Sequence, residues 1–308
     1  MKKEIASECY TRKWGLNSSW LLYLMMGPAI VLTFIFCYIP MYGVTIAFQQ
    51  YNLAKGFWNS AFIGLHWFDV LFKTPDVWEL VVNTLIISTG KIIAGQLAAI
   101  IFALLLNEVL CRLFKRAVQT VVYIPYFLSW VIMGGVIGDL LSTKGVINQL
   151  LQFAGINPIF FLGSNSWFRW TLILTDTWKS YGWNAIIYLA ALTAVSHELY
   201  DACNIDGGGR IRQTIHVTLP AISSTIVLLA VLNLGGMLNA GFEQVLVLYN
   251  PAVYDTGDII DTFVYRMGLE QMQFSFATAV GLLKSVVGSV LIVVSYWLAD
   301  RFAGYRIF

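Results

Sequence analysis

One short stretch of the chain gathers polar groups of the kinds that bind phosphate or another protein. From His197 to Pro220 the sequence reads HELYDACNIDGGGRIRQTIHVTLP, with five charged side chains around three consecutive glycines. A glycine-rich phosphate loop would follow a strand and end in Lys-Ser or Lys-Thr, and this stretch does neither. Gly90-Lys91 fails the same test because Ile92 follows it inside an apolar run. The chain therefore has no recognisable nucleotide site of its own.

The first half of this stretch has the pattern of a short helix. Ser196 can cap its amino end, and Glu198 in the first turn complements the helix dipole. Leu199, Ala202 and Cys203 recur at helical spacing and form one apolar face. We expect this helix to begin directly after Ser196.

The glycines of positions 207–209 are expected to end that helix, since glycine accepts a left-handed turn at low cost. A second helical stretch follows, RIRQTIHVTL, and Pro220 marks the start of the next apolar span. The prediction is a rigid rod along the cytoplasmic surface, with Tyr200 and Ile205 projecting away from the membrane. The alternative is an ordinary amphipathic loop that only covers the helix bundle.

The elements that must hold this rod are apolar. Of the 308 residues, 58% are hydrophobic and only 12% are charged, too few charges for the surface of a soluble domain of this length. The composition indicates an integral membrane protein. The net charge of +2 gives no indication of nucleic-acid binding. Four cysteines and three histidines lie far apart and match no metal-site spacing, so no metal is expected.

Six stretches reach the roughly 20 apolar residues that a helix needs to cross a bilayer. The first follows a charged amino terminus but is too long for a signal peptide and lacks a small-residue cleavage site, so we expect an uncleaved helix. The predicted spans are 20–48, 79–106, 117–141, 168–192, 221–242 and 276–299.

The distribution of lysine and arginine predicts cytoplasmic amino and carboxyl termini. Most basic residues, including Arg112, Lys115 and Arg116, then lie inside, and few lie outside. This divides the chain into a cytoplasmic segment 1–19, a transmembrane domain 20–300 that contains the loop 197–220, and a cytoplasmic tail 301–308. The loops 49–78 and 243–275 lie outside and are rich in aromatic residues, as at a membrane interface or against a docked partner.

The polar stretch resembles the cytoplasmic EAA loop of binding-protein-dependent ABC importer permeases. Asp201-Ala202-Cys203 falls on the Glu-Ala-Ala of that pattern, Asp206-Gly207-Gly208 on its Asp-Gly-Ala, and Leu219-Pro220 on its closing Leu-Pro. The sequence departs from the pattern at Asp201, Cys203 and Gly208. The segments YIPYFLSW, DTWKSYGWNAIIYLAAL, LNAGFEQVLVLYNPAVYDTGDIIDTFVYRMGL and FSFATAVGLLKSVVG are similar to the oligosaccharide and polysaccharide permeases of the carbohydrate-uptake branch.

This resemblance implies an all-α membrane protein with six transmembrane helices in the type I ABC importer permease fold, with the first helix outside a five-helix core. It implies a multi-pass, pore-forming subunit in the bacterial cytoplasmic membrane, in contact with membrane lipids. The subunit itself is not expected to be an enzyme. No cofactor belongs to this chain, since ATP and Mg bind to the partner ATPase. The implied partners are a homologous second permease (a homodimer being the alternative), two cytoplasmic ATPase subunits, an extracytoplasmic solute-binding protein and an oligosaccharide. The residues expected to couple to the ATPase are Glu198, Tyr200, Asp201, Ala202, Cys203, Ile205, Asp206, Gly207, Gly208 and Arg210.

Sugars pack their CH surfaces on aromatic rings and bond their hydroxyls to amides and carboxylates. Groups of both kinds occur in the last three spans and just outside them. The expected substrate pathway consists of Trp178, Lys179, Trp183, Asn184, Asn233, Asn239, Glu243 and Gln244. The alternative for the two tryptophans is that they only pack the bundle.

The ionisable residues inside the spans leave two further alternatives. A secondary transporter or channel driven by an ion gradient would use such groups at mid-depth. For Asp176 and Lys179, three residues apart on one helix face, we expect mutual neutralisation instead. The lysines Lys91, Lys179 and Lys284 either line a passage for acidic oligosaccharides or bond carbonyls and Asp176.

Overall fold

The computed structural model describes residues 16–303 of the chain. Two predicted segments are therefore only partly described. Residues 1–15 of the predicted cytoplasmic segment 1–19 lie outside the described residues, and so do residues 304–308 of the predicted tail 301–308. The described part is almost entirely helical. Its α-helices are α1 Leu16–Thr33, α2 Gly56–Asn59, α3 His66–Lys73, α4 Pro75–Asn107, α5 Arg112–Phe127, α6 Trp130–Leu141, α7 Val146–Phe153, α8 Asn165–Thr193, α9 His197–Ile205, α10 Arg210–Gln213, α11 Leu219–Gly235, α12 Phe242–Leu248, α13 Tyr254–Gly257, α14 Ile260–Tyr265 and α15 Phe274–Ala303.

Shorter elements join these helices. A two-stranded antiparallel hairpin pairs β1 Gln49–Gln50 with β2 Ala61–Phe62, with Gln49 opposite Phe62. The remaining helical turns are π-helices at Phe34–Tyr38, Thr214–Thr218 and Arg266–Glu270, and 3-10 helices at Ile39–Phe48 and Pro251–Val253.

By length and composition, five of the described helical segments can cross a membrane. A sixth helix is long enough to cross it but is less apolar. The five are Leu22–Phe48, Val77–Asn107, Trp130–Phe153, Arg210–Gly235 and Phe274–Leu298. The sixth, α8, has 29 residues and contains the predicted span 168–192. Its mean hydropathy is lower because it carries Asp176, Lys179 and Asn184, whose polar groups need partners inside the protein.

The first span lies outside the packed helices, as the resemblance implies. Its described side chains from Trp20 to Ile46 include none that is buried, and Met25 is 73% exposed. Among the described side chains of this span only Ala47 is buried, where the 3-10 helix packs against α15.

The third span differs from the prediction of one helix over 117–141. The chain breaks between α5 and α6, where Ser129 caps α6 by accepting a hydrogen bond from the Ile132 amide at 3.3 Å. Pro125 lies in the last turn of α5, and its missing amide favours a helix end there. The apolar segment of this region accordingly runs from Trp130 to Phe153.

The fifth span begins earlier than the predicted 221, because α10, the π-helix Thr214–Thr218 and α11 form one continuous helical run from Arg210. Pro220 does not interrupt it. A proline removes the bond to the carbonyl four residues back, and a π-helical turn directly before it widens the helix there. Pro40 follows the π-helix Phe34–Tyr38 in the same way.

The centre of the fold is the packing of α4 against α8. Small residues allow the close approach, with Ala99 and Ala103 of α4 and Ala185 of α8 fully buried around Tyr188. At the opposite end, polar side chains fasten the segment 250–266 to the same two helices. Asn83 donates to the carbonyl oxygens of Asp255 and Asp258. Both ends of the α4–α8 pair are therefore fixed.

We predict that Gly182→Ala destabilises the fold at the contact between α5 and α8. A Cβ at Gly182 would lie 2.7 Å from the Val122 carbonyl oxygen and 3.1 Å from the Tyr123 ring. Overpacking of this kind costs about 1–3 kcal/mol. The melting temperature of the purified protein in detergent should fall. Gly135→Ala in α6 is the matched control, since a Cβ there meets nothing within 4 Å, and an equal loss in both variants would contradict the prediction.

Candidate functional site

A buried lysine lies at the midpoint of α4 and joins three parts of the fold. The Lys91 side chain is 8% exposed, and its Nζ donates to the Ala240 carbonyl oxygen at 2.5 Å and to Oε1 of Gln244. The carboxylate of Asp176 on α8 lies 4.0 Å away. A buried ammonium group is tolerated only with such acceptors, so these contacts fix α4, α8 and the 240–244 turn relative to one another.

Gln244 completes this junction. It is fully buried, and its Nε2 donates to the Leu172 carbonyl oxygen and to Thr175 Oγ1, each at 2.8 Å. Its side chain therefore bonds α12 to α8 and Lys91. The structure corrects the expectation of direct sugar contact at Gln244, because a side chain with no exposed surface has no place for a sugar.

Gly241 allows the close approach of the turn to Lys91. Its φ of +87° is left-handed, and a Cβ at this position would lie 2.8 Å from Lys91 Nζ. Only glycine fits both the backbone conformation and the space.

Beside this junction lies a cavity of about 450 Å³ between α4, α8, α11 and the turn after α11. It brings together three residues of the predicted substrate pathway, Asn184, Asn233 and Asn239. The sequence interpretation considered Lys91 and Asp176 only as ionisable residues of the spans, and it missed the other polar groups in the wall. Those are Ser88, Gln96, Ser180 and Tyr188.

A sequence signal for the missed groups exists in α8. Asp176, Ser180, Asn184 and Tyr188 recur every four residues and so share one face of the helix. A polar stripe of this kind in a membrane-spanning helix indicates a face turned towards an aqueous space.

Four other predicted pathway residues do not line the cavity. Trp183 is stacked on Tyr126 with ring centroids 4.7 Å apart and an interplanar angle of 4°, and Lys179 Nζ donates to the Tyr126 carbonyl oxygen at 2.8 Å. Both side chains therefore belong to the contact of α8 with α5. Trp178 and Glu243 are exposed elsewhere on the surface.

The charged side chains of the spans are paired differently from the prediction. Asp176 forms its ion pair with Lys91 of α4, and not with Lys179 three residues along its own helix. Lys284 donates to Asp261 Oδ1 at 2.5 Å and to Asn239 Oδ1 at 3.1 Å. Each of the three span lysines thus has protein acceptors, which argues against a passage lined by free cations.

The predicted coupling loop forms a separate structure at α9. Ser196 caps this helix by accepting from the Glu198 amide at 3.3 Å, as expected. The helix ends at Ile205, and Gly207 takes a left-handed φ of +75°. The Gly208 amide then donates to the Cys203 carbonyl oxygen at 2.8 Å and closes the turn.

One face of α9 is free. Glu198, Asp201, Ala202 and Ile205 recur at the spacing of a single helix face and are all exposed, with Ile205 at 86%. We call these four residues the α9 outer face. Asp206, Gly207 and Arg210 are exposed beyond its carboxyl end.

The opposite side of α9 packs on the helical run that follows it. Tyr200 does not project away from the bundle as expected, because its hydroxyl bonds Thr218 Oγ1 at 3.1 Å. Asn204 Oδ1 accepts from Gln213 Nε2 at 2.5 Å. Two hydrogen bonds therefore fasten α9 to the run Arg210–Gly235, whose far end lines the cavity.

Comparison with known proteins places the chain among transport proteins. The family described as "Binding-protein-dependent transport system inner membrane component" matches residues 92–304. The chain is 43% identical to protein LplB of Bacillus subtilis (strain 168), over 91% of this chain and 89% of that protein. It is 45% identical to the polygalacturonan/rhamnogalacturonan transport system permease protein YteP of the same organism, over 91% and 88%.

Solved structures agree in fold. A chain of a bacterial alginate ABC transporter, crystallised with an alginate pentasaccharide-bound periplasmic protein, superposes with a TM-score of 0.85 at 36% identity. The match covers 94% of this chain and 98% of that one.

We predict that Gly208→Ala opens the turn after α9. A Cβ there would lie 2.8 Å from the Cys203 carbonyl oxygen and would also contact the Cys203 sulfur. Losing this turn should raise amide hydrogen exchange at residues 203–208 about tenfold, the effect of roughly 1.4 kcal/mol in local opening. Gly209→Ala is the control, since a Cβ there meets nothing within 4 Å. Equal exchange in the wild type and the Gly208 variant would contradict the tight turn.

Proposed function

The chain belongs to the family of binding-protein-dependent transport system inner membrane components, and from that premise we propose how it works as a permease subunit. Its cargo is an oligosaccharide or a polysaccharide fragment, imported at the expense of ATP that a separate subunit hydrolyses. The names of the similar permease YteP and of the superposed alginate transporter support this cargo class.

The cavity beside Lys91 is the observation that carries the proposal. Its volume of about 450 Å³ lies within the range of pockets that hold small ligands. Amides, hydroxyls and one carboxylate line it, together with Ile92, Leu229 and Leu232. Such a mixture suits sugars, which present both hydroxyl edges and CH faces. In this proposal the sugar passes along α4, α8 and α11.

The α9 outer face docks on the ATPase. It combines two acids with an isoleucine that is 86% exposed, on a helix closed at both ends by a cap and a turn. Docking movement reaches the cavity through the run Arg210–Gly235, which is helical throughout. Of the other predicted residues of the loop, Tyr200, Cys203, Gly207 and Gly208 hold this face in place. Asp206 and Arg210 are exposed beyond its carboxyl end and extend the docking surface.

The other partners follow from the two ends of the fold. The cytoplasmic side holds the loop 197–220 and both chain termini, in segments 1–19 and 301–308. The outer side holds the aromatic segments 49–78 and 243–275, which meet the solute-binding protein. A second homologous permease covers part of the exposed apolar surface and completes the pore, with two ATPase subunits beneath the pair.

The alternative of transport driven by an ion gradient has less support. It needs an ionisable group at mid-depth that can bind and release its ion, whereas the Lys91 ammonium is held by two acceptors and a nearby carboxylate. Membership in a binding-protein-dependent family also favours ATP as the energy source.

We predict that Asn184→Trp blocks transport. The indole fills part of the cavity wall where a sugar would pass, so uptake in proteoliposomes of the complete transporter should fall at least tenfold. The measurement is uptake of radiolabelled galacturonate and galactose trisaccharides, one acidic and one neutral. Ile186→Trp is the control on the same helix, since Ile186 lies outside the cavity lining and is 37% exposed. Normal uptake by the Asn184 variant would refute the cavity as the pathway.

We predict that Asp201→Arg and Ile205→Glu each release the ATPase. The first inverts a charge and the second buries a new one in the docking surface, with a cost of about 2 kcal/mol or more. Affinity purification through a tag on this chain should recover at least tenfold less ATPase subunit. Leu199→Gln is the control, because Leu199 is 51% exposed on α9 but lies off the outer face. Undiminished recovery with both variants would show that another surface docks.

A further inference from the structure

Asp176 is the one carboxylate in the cavity wall, and among residues 16–303 no side chain or backbone amide hydrogen-bonds its carboxylate oxygens. Its side chain is 29% exposed. The nearest cation, Lys91 Nζ, is 4.0 Å away, at the limit of an ion pair. The acceptor capacity of this carboxylate is therefore largely unused by the protein.

Lys91 differs from Asp176 in this respect. Its ammonium donates to the Ala240 carbonyl oxygen and to Gln244, and only 8% of the side chain is exposed. Both residues line the cavity, but a ligand there meets much more of the carboxylate than of the ammonium. The pair is neutral as a whole, but its exposed member is an acceptor.

A carboxylate accepts hydrogen bonds at two oxygens, and bonds to a charged acceptor are stronger than neutral ones. Neighbouring hydroxyls of a sugar ring are a matched pair of donors for such a group. The next two turns of α8 add Ser180 and Asn184 to the same wall. A sugar chain lying along this helix face can therefore bond to one polar side chain at each turn.

We propose that Asp176 contacts the substrate and accepts hydrogen bonds from sugar hydroxyls, with Lys91 as the positioning residue that neutralises and orients its carboxylate. This inference rests on the proposed function, because it requires that sugar passes through the cavity. It places a hydroxyl edge of the sugar, and not a carboxylate of the sugar, against the middle of α8.

The test compares Asp176→Asn with the wild type in proteoliposomes of the complete transporter with its binding protein. Sugar-stimulated ATPase activity is measured against the concentration of galacturonate and galactose trisaccharides. Loss of a charge-assisted acceptor should raise the half-saturating concentration of the transported trisaccharide about tenfold, with the maximal rate within twofold of wild type. Asp139→Asn is the control, since Asp139 is exposed on α6 and does not line the cavity.

Removing Asp176 alone leaves the Lys91 ammonium without its carboxylate, and this variant can fail to assemble. Lys91→Met/Asp176→Asn removes both charges and leaves no buried charge unpaired, so this variant is expected to assemble and to keep the raised half-saturating concentration. Lys91→Met alone should raise that concentration about threefold, and the two substitutions should be non-additive because they act through one carboxylate.

An unchanged half-saturating concentration in Asp176→Asn, or in the double variant where the single one does not assemble, would overturn the proposal. Failure of both variants to assemble would also overturn it, since the pair would then be structural. This outcome can be separated from that of the proposed function. If the Asn184→Trp variant transports normally, the cavity is not the pathway. If Asn184→Trp blocks transport but Asp176→Asn has no effect, only the contact between Asp176 and the sugar is refuted.

Discussion

The fold depends on satisfying one positive charge in the middle of a membrane-spanning helix. A lysine at the centre of a helix costs roughly 2.5–3.5 kcal/mol to insert. Lys91 offsets that cost with Ala240, Gln244 and Asp176, which belong to the turn after α11, to α12 and to α8. Because losing any partner would leave a buried charge unmet, the positions of these elements are tied to Lys91. The cavity forms where they meet.

Polar side chains also hold together the end of the α4–α8 pair that contacts the segment 250–266. Arg169 of α8 donates to Asn83 Oδ1 at 2.5 Å and to the Thr256 carbonyl oxygen at 3.1 Å. Asp258 pairs with Arg266, whose guanidinium lies over the Tyr254 ring with a 4.5 Å separation from the centroid. These contacts fix irregular backbone across α4 and α8, where unpaired peptide groups would be costly. The segment 250–266 is consequently held on both α4 and α8 by several hydrogen bonds.

The helix α9 is attached to the cavity wall by one helical run. From Arg210 the chain continues through a π-helical turn and Pro220 to Gly235, and Asn233 at its end lines the cavity. A helix resists compression along its axis because each residue is bonded to the next turn. The side chains of Tyr200 and Asn204 fasten α9 to the base of this run, so one continuous helical run connects α9 with the cavity wall. In the proposed function, this connection carries the movement of the docked ATPase to the cavity.

The sequence by itself determined the class of the protein, the approximate positions of most of its apolar spans, and the cap and the glycine turn of the polar loop. These depend on composition, on runs of apolar residues, and on caps and glycines that act within a few residues of their own position. It also identified Asn184, Asn233 and Asn239, because amides are conspicuous in apolar helices. The tertiary structure alone decided which polar groups meet. The spacing along α8 predicted an ion pair between Asp176 and Lys179, yet the ion-pair partner of Asp176 is Lys91, 85 residues earlier in the chain. The sequence placed Gln244 in the sugar pathway, yet its side chain is already hydrogen-bonded to Lys91 and to α8. A buried charge selects its partner by distance in space, and that distance is set by the packing of whole helices, which local sequence pattern does not contain.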